Sequence, residues 1–137
     1  MKDIITYCGY KCNLCLAYRN KDKDDLQKFS DGIFKYYGIR LSLEECYCNG
    51  CMTDDIESPK LIDIECKVRP CVMKKGLENC AYCDQYPCKE LETKMIDGKK
   101  VAKKFEKPIP NKDYKLFIMP YESRKVLDKI RQKRGLQ

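Results

Sequence analysis

The sequence contains no histidine and no tryptophan. Without histidine there is no finger of two cysteines and two histidines, no Ser–His or Cys–His catalytic pair and no His-ligated catalytic zinc. Acid–base chemistry near neutral pH would fall to a perturbed Cys, Lys or carboxylate. Large apolar side chains are also scarce: Val, Ile, Leu and Phe number 30 of the 137 residues. That share sits just above the ~20% below which chains tend to stay disordered. A chain so built needs cross-links, metallic or covalent, to fold well.

Long apolar runs are missing too. No stretch approaches the ~20 apolar residues of a membrane span, and Met1 to Cys8 lacks the apolar centre of a signal peptide. The expected compartment is a reducing cytoplasm, where dense cysteines ligate metal more often than they form disulfides.

What the chain has instead is 11 cysteines and 10 tyrosines. An odd cysteine count leaves one unpaired in any monomeric disulfide scheme, so a disulfide scaffold is the weaker reading. All the cysteines lie between Cys8 and Cys88. Charge divides nearby: residues 1–93 carry net −2 and residues 94–137 net +9, within a total of +7. The organisation read from this is a cysteine-rich body (1–93) and a basic C-terminal segment (94–137) packed on it as one domain.

Helical periodicity marks Asp22 to Tyr37, where Leu26, Phe29, Ile33 and Tyr37 recur on one face and Gly38 supplies the stop, although Gly32 weakens the pattern. Ser42 to Glu45 fits a capping box. Cys71 to Lys75 reads as a helical turn closed by Gly76, and Leu61 to Ile64 as a short strand. Pro87 opens a predicted helix through Leu91 and Met95 to Gly98. Pro108-Ile109-Pro110 reads as an extended linker and Tyr114 to Met119 as an edge strand. Pro120 then opens a last helix with Val126, Leu127 and Ile130 on one face and Gly135 as its stop. The fold class expected is α+β: a small irregular zinc-stabilised domain with several short helices and little strand.

The chemistry lies in three knuckle-spaced pairs: Cys12-Asn13-Leu14-Cys15, Cys48-Asn49-Gly50-Cys51 and Cys80-Ala81-Tyr82-Cys83. Two thiolates three residues apart grip one ion in a tight turn, and two such pairs complete the four-sulfur shell of structural zinc. Two zinc ions are expected. One draws on Cys12, Cys15, Cys48 and Cys51, with Cys8 open as an exchange partner. The other takes four of Cys66, Cys71, Cys80, Cys83 and Cys88.

An iron–sulfur cluster is the less favoured cofactor. Cys8-x3-Cys12-x2-Cys15 has the spacing of radical S-adenosylmethionine enzymes, but the chain lacks the length and the strand–helix alternation of their barrel. Cys88, just after Pro87 at a predicted helix start, carries a second alternative as a reactive thiol.

The run Cys8-Gly9-Tyr10-Lys11-Cys12-Asn13-Leu14-Cys15-Leu16-Ala17-Tyr18 resembles a small bacterial and archaeal family, domain of unknown function 3795. Cys48-Asn49-Gly50-Cys51, Cys66-Lys67-Val68-Arg69-Pro70-Cys71 and Gly76 to Cys88 extend the resemblance, which covers roughly Tyr7 to Leu91 in order. It implies a zinc-binding protein with no catalytic residue to carry over, and places ten cysteines in a shared pattern. Cys46 stands outside that pattern, as a free thiol or an alternative ligand.

Two lysine- and arginine-rich clusters close the chain: Lys99, Lys100, Lys103, Lys104 and Lys107, then Arg124, Lys125, Lys129, Arg131, Lys133 and Arg134. They could neutralise phosphates, with Tyr114, Phe117 or Tyr121 for stacking, or form a solvated helix face. The expected role is an interaction or adaptor module for a protein partner, with nucleic acid as the alternative partner through the basic segment.

Overall fold

The computed structural model of the chain describes residues 4–51, 60–61 and 66–135. Local sequence chemistry explains the longest helix, α1 (Lys23–Tyr37). The Asp22 carboxylate caps it by accepting from the Asp25 N–H at 3.0 Å, and Gly38 ends it at φ +72°. Its buried face carries Leu26, Phe29 and Ile33, which pack with Ala17 and Cys46. Each such aliphatic or aromatic side chain contributes roughly 1.5–3 kcal/mol on burial. The capping box forms in α2 (Leu43–Cys46), with Ser42 and Glu45 satisfying each other's backbone N–H groups.

The next helix, α3 (Val68–Lys75), closes at Gly76 as its sequence predicts, but starts three residues before Cys71. After it come α4 (Lys89–Glu92), α5 (Gly98–Ala102), α6 (Asn111–Asp113) and α7 (Ser123–Lys133). Val68 and Val72 of α3, Leu91 of α4 and Leu127 of α7 meet Cys8, Cys80 and Ala81 in one apolar cluster. Tyr36, Val101, Phe117 and Ile118 form another. The core is thus divided among small clusters.

Among the described residues there is no strand or sheet, which overturns the α+β expectation: the fold is helical with irregular connections. Strand-like pairing is limited to isolated bridges, Ile5 with Lys11 and Tyr18 with Cys48. The predicted edge strand at Tyr114–Met119 is instead a π-helical turn, Tyr114–Ile118, running on from α6. A short apolar run reads the same in a strand and in a buried helical turn, and Tyr114, Phe117 and Ile118 also fall at helical spacing. The Leu61–Ile64 strand prediction falls mostly outside the described residues.

The predicted Pro87–Gly98 helix is broken after Glu92, because Asp97 caps a fresh helix by accepting from Lys99 N–H at 2.9 Å. Pro120 lies in a 3-10 turn, Met119–Tyr121, and α7 starts only at Ser123. Between these elements sits the buried carboxylate of Glu122. It accepts from the Tyr114 hydroxyl and from Gly98 N–H at 3.3 Å, and pairs with Lys125 Nζ at 3.2 Å. A carboxylate buried this far is tolerated because it is paired and hydrogen-bonded, and it ties α5, the π turn and α7 together.

Candidate metal centres

The Cys-x-x-Cys knuckles at Cys12 and Cys80 share one backbone design. Each is a 3-10 turn, Cys12–Leu14 or Cys80–Tyr82, ending in an extended cysteine whose N–H returns to the carbonyl of the first cysteine, at 3.0 and 3.1 Å. Buried Asn79 caps the second turn by accepting from Ala81 N–H at 2.9 Å. At the third knuckle Gly50 takes φ +88° and its N–H points at Cys48 Sγ, 3.4 Å away. A side chain at Gly50 would also strike the Tyr18 ring, 2.5 Å from a Cβ placed there.

The sulfurs divide between two cavities. A cavity of about 410 Å3 is lined by Cys8, Cys12, Cys15, Cys48, Cys51 and Cys66. Among the described residues the rest of its wall is apolar and aromatic, including Phe29, Tyr37 and Tyr121, with Lys94 as a cation and no carboxylate. A second cavity of about 270 Å3 is lined by Cys71 from α3, Cys80 and Cys83 from the knuckle, and Cys88 at the head of α4. Cys66 therefore faces the first group, and the five candidates for the second sulfur set fall to four. Cys46, fully buried against Leu26 and Phe29, lines neither cavity.

Burial dominates the electrostatics. It pushes the Cys51 thiol up to about 12, with the Cys8, Cys66 and Cys48 sulfurs acting the same way and Arg69 opposing. Burial likewise pushes Cys80 up to about 12, and raises Cys8, Cys12 and Cys15. Polar groups already reach several sulfurs: the Tyr121 hydroxyl lies 2.9 Å from Cys15 Sγ, and Lys75 Nζ donates to Cys83 Sγ at 3.3 Å. Such contacts orient thiolate ligands and offset their charge.

Among the described residues no three Cys, Asp or Glu side chains are gathered closely enough to hold an ion as they stand. The thiols ring their cavities, and ligation requires them to turn inward. The donor chemistry fits a soft or borderline metal: sulfur-only sets of this kind take zinc, iron–sulfur clusters or Cu(I).

The model of a protein family of unknown function, DUF3795, matches residues 4–93 of the chain. The chain belongs to that family. No curated protein and no solved structure matches it. All ten cavity cysteines of this DUF3795 protein lie within the matched span, but the walls do not: Lys94, Ile96 and Tyr121 complete the six-thiol cavity from beyond it.

The basic segment also supports the second knuckle. Arg131 Nη1 donates to the carbonyls of Ala81 (2.7 Å) and Cys83 (3.2 Å), and its guanidinium stacks on Tyr86 at 4.9 Å. Arg134 lies over Tyr82, and Arg124 pairs with Glu92 at 3.4 Å. The sequence leads one to expect a basic segment packed on the body, with these arginines on a solvated face or on phosphates; their individual partners are not readable from their spacing. Arg131→Ala is expected to lower stability by about 1.5–3 kcal/mol, the usual contribution of charge-assisted hydrogen bonds. A thermal melt checks this, and an unchanged midpoint would contradict it.

No helix among the described residues is long and apolar enough to cross a membrane.

Proposed function

We propose that this DUF3795 protein is an interaction module folded around structural zinc. Cys71, Cys80, Cys83 and Cys88 form one centre, and Cys12, Cys15, Cys48 and Cys51 supply the other. The observation that carries this reading is the sorting of ten cysteines onto two thiol-lined cavities while Cys46 is sealed in the core. Cys88 shares its cavity with three other sulfurs, which favours a ligand over an isolated reactive thiol. When bound, zinc would cross-link segments distant in sequence and contribute no redox chemistry.

A protein partner would find exposed apolar surface at Phe34 and Ile39, near the C-terminal end of α1. A nucleic acid would meet the exposed Lys99, Lys100, Lys103, Lys104 and Lys107, since Arg124, Arg131 and Arg134 are engaged with the body. An iron–sulfur cluster is the competing reading, because Cys8, Cys12 and Cys15 do share one cavity.

Titration with metal tests the zinc reading. Thiols raised to about 12 are protonated in the apo protein at pH 7, so zinc must displace their protons. Zinc affinity is therefore expected to rise with pH, by up to about tenfold per unit for each proton released. The apo fold responds in the opposite sense. A thiol whose folded pKa exceeds the ordinary 9.0 stabilises the fold below pH 9, and that contribution fades as pH climbs from 9 towards 12. Competition titrations between pH 6 and 8 read the first effect. An affinity independent of pH would contradict ligation by these thiols.

A further inference from the structure

We infer that the six-thiol cavity holds a binuclear zinc–thiolate cluster, in which two of the six sulfurs bridge a pair of ions. The inference rests on the zinc reading above and adds a third ion to it. Structural zinc takes four ligands. Two separate ions would need eight sulfurs, whereas two ions sharing a pair need six, and six are what the cavity offers. Among the described residues no other donor is at hand to fill a shell there: the chain has no histidine, and no described Asp or Glu lines the cavity. A single ion held by Cys12, Cys15, Cys48 and Cys51 would leave the Cys8 and Cys66 thiols facing the same space unused.

The neighbour relations among the sulfurs fit such a pair. Cys15 has Cys48 as an electrostatic neighbour, and Cys8 has Cys66. Cys12 feels the charge of Cys51, Cys15, Cys48 and Cys8, and Cys51 that of Cys8, Cys66 and Cys48, so the six sulfurs share one electrostatic neighbourhood. Polar groups lie within reach of three of the six sulfurs: the Tyr121 hydroxyl beside Cys15 at 2.9 Å, Gly50 N–H on Cys48 at 3.4 Å and the Thr6 hydroxyl beside Cys8 at 3.6 Å.

Charge also favours the pair. Two Zn2+ and six thiolates sum to about −2, the same as one four-thiolate site, so the second ion adds no net charge to the apolar cavity. Lys94 on the wall, and Arg69, whose Nε donates to the Cys51 carbonyl at 2.9 Å, offset what remains. Six thiol protons leave as the two ions enter.

Metal stoichiometry and cadmium NMR of the intact chain test this. Three zinc ions per chain are expected. After exchange with 113Cd, three resonances are expected, two of them coupled to each other through the shared sulfurs. Two ions per chain with two uncoupled resonances would overturn the cluster while leaving the zinc reading intact. Metal-free protein, or iron with sulfide, would overturn both. Cys66→Ser gives a second readout. The cluster predicts a fall from three ions to two, whereas a single-ion site predicts no change.

Discussion

On the zinc reading proposed above, treatment with a strong chelator is expected to abolish cooperative unfolding of this protein. Among the described helices α1 has 15 residues and α7 has 11; α3 has eight, and α2, α4, α5 and α6 have three to five each. Isolated helices shorter than ~12–15 residues are marginal in water. Their packing is divided among clusters built from few large aliphatic side chains. A structural zinc contributes on the order of 10–16 kcal/mol of apparent binding free energy in finger peptides. Net stabilities of whole domains are only about 5–15 kcal/mol. Losing even one ion therefore removes as much as the entire margin. Circular dichroism should show lost helicity and a broad, non-cooperative melt after chelation, both restored by zinc. A sharp melt at the original midpoint after complete metal removal would contradict this.

Gly32→Ala is expected to destabilise the protein by about 2 kcal/mol, within the usual cost of overpacking. Alanine in a helix interior is favoured over glycine by up to ~1 kcal/mol, so propensity alone predicts a gain. Packing decides the sign. A Cβ on Gly32 would lie 2.3 Å from two ring carbons of Phe117, a ring that is 3% exposed and stacks on Tyr36 at 5.9 Å. The ring can yield only by leaving its place against α1. The melting midpoint of the zinc-loaded variant should fall by about 6–10 °C with metal content unchanged. A rise in the midpoint would show that propensity outweighs the contact.

Gly32 also shows where sequence reasoning stopped. In one dimension it only weakens a helix; in the fold it lets Phe117, 85 residues away, approach the backbone of α1. The elements that were legible are those governed by neighbours along the chain: the apolar face and Gly38 stop of α1, the Ser42–Glu45 capping box, and the Gly76 end of α3. The cysteine knuckles were legible for the same reason. The partnership of Cys66 was not, because it depends on the path the chain takes around the first cavity. The Tyr114–Ile118 turn was missed because its apolar residues suit two periodicities, and only the buried position of Phe117 and Ile118 separates them. The docking of α7 depends on backbone carbonyls of Ala81 and Cys83, acceptors that every sequence has and none advertises.

The thiol centres also revise the charge balance. The formal +7 counts every cysteine as neutral. On the zinc reading each occupied centre adds about −2, so the loaded protein would carry about +3, its body more acidic while residues 94–137 remain basic.

Elemental analysis of the full chain, purified without oxygen or chelator, tests the central claim most directly. Zinc bound in stoichiometric amount, without iron or acid-labile sulfide, is the expected result. Iron with sulfide in place of zinc, or metal-free protein whose cysteines are paired as disulfides, would contradict it.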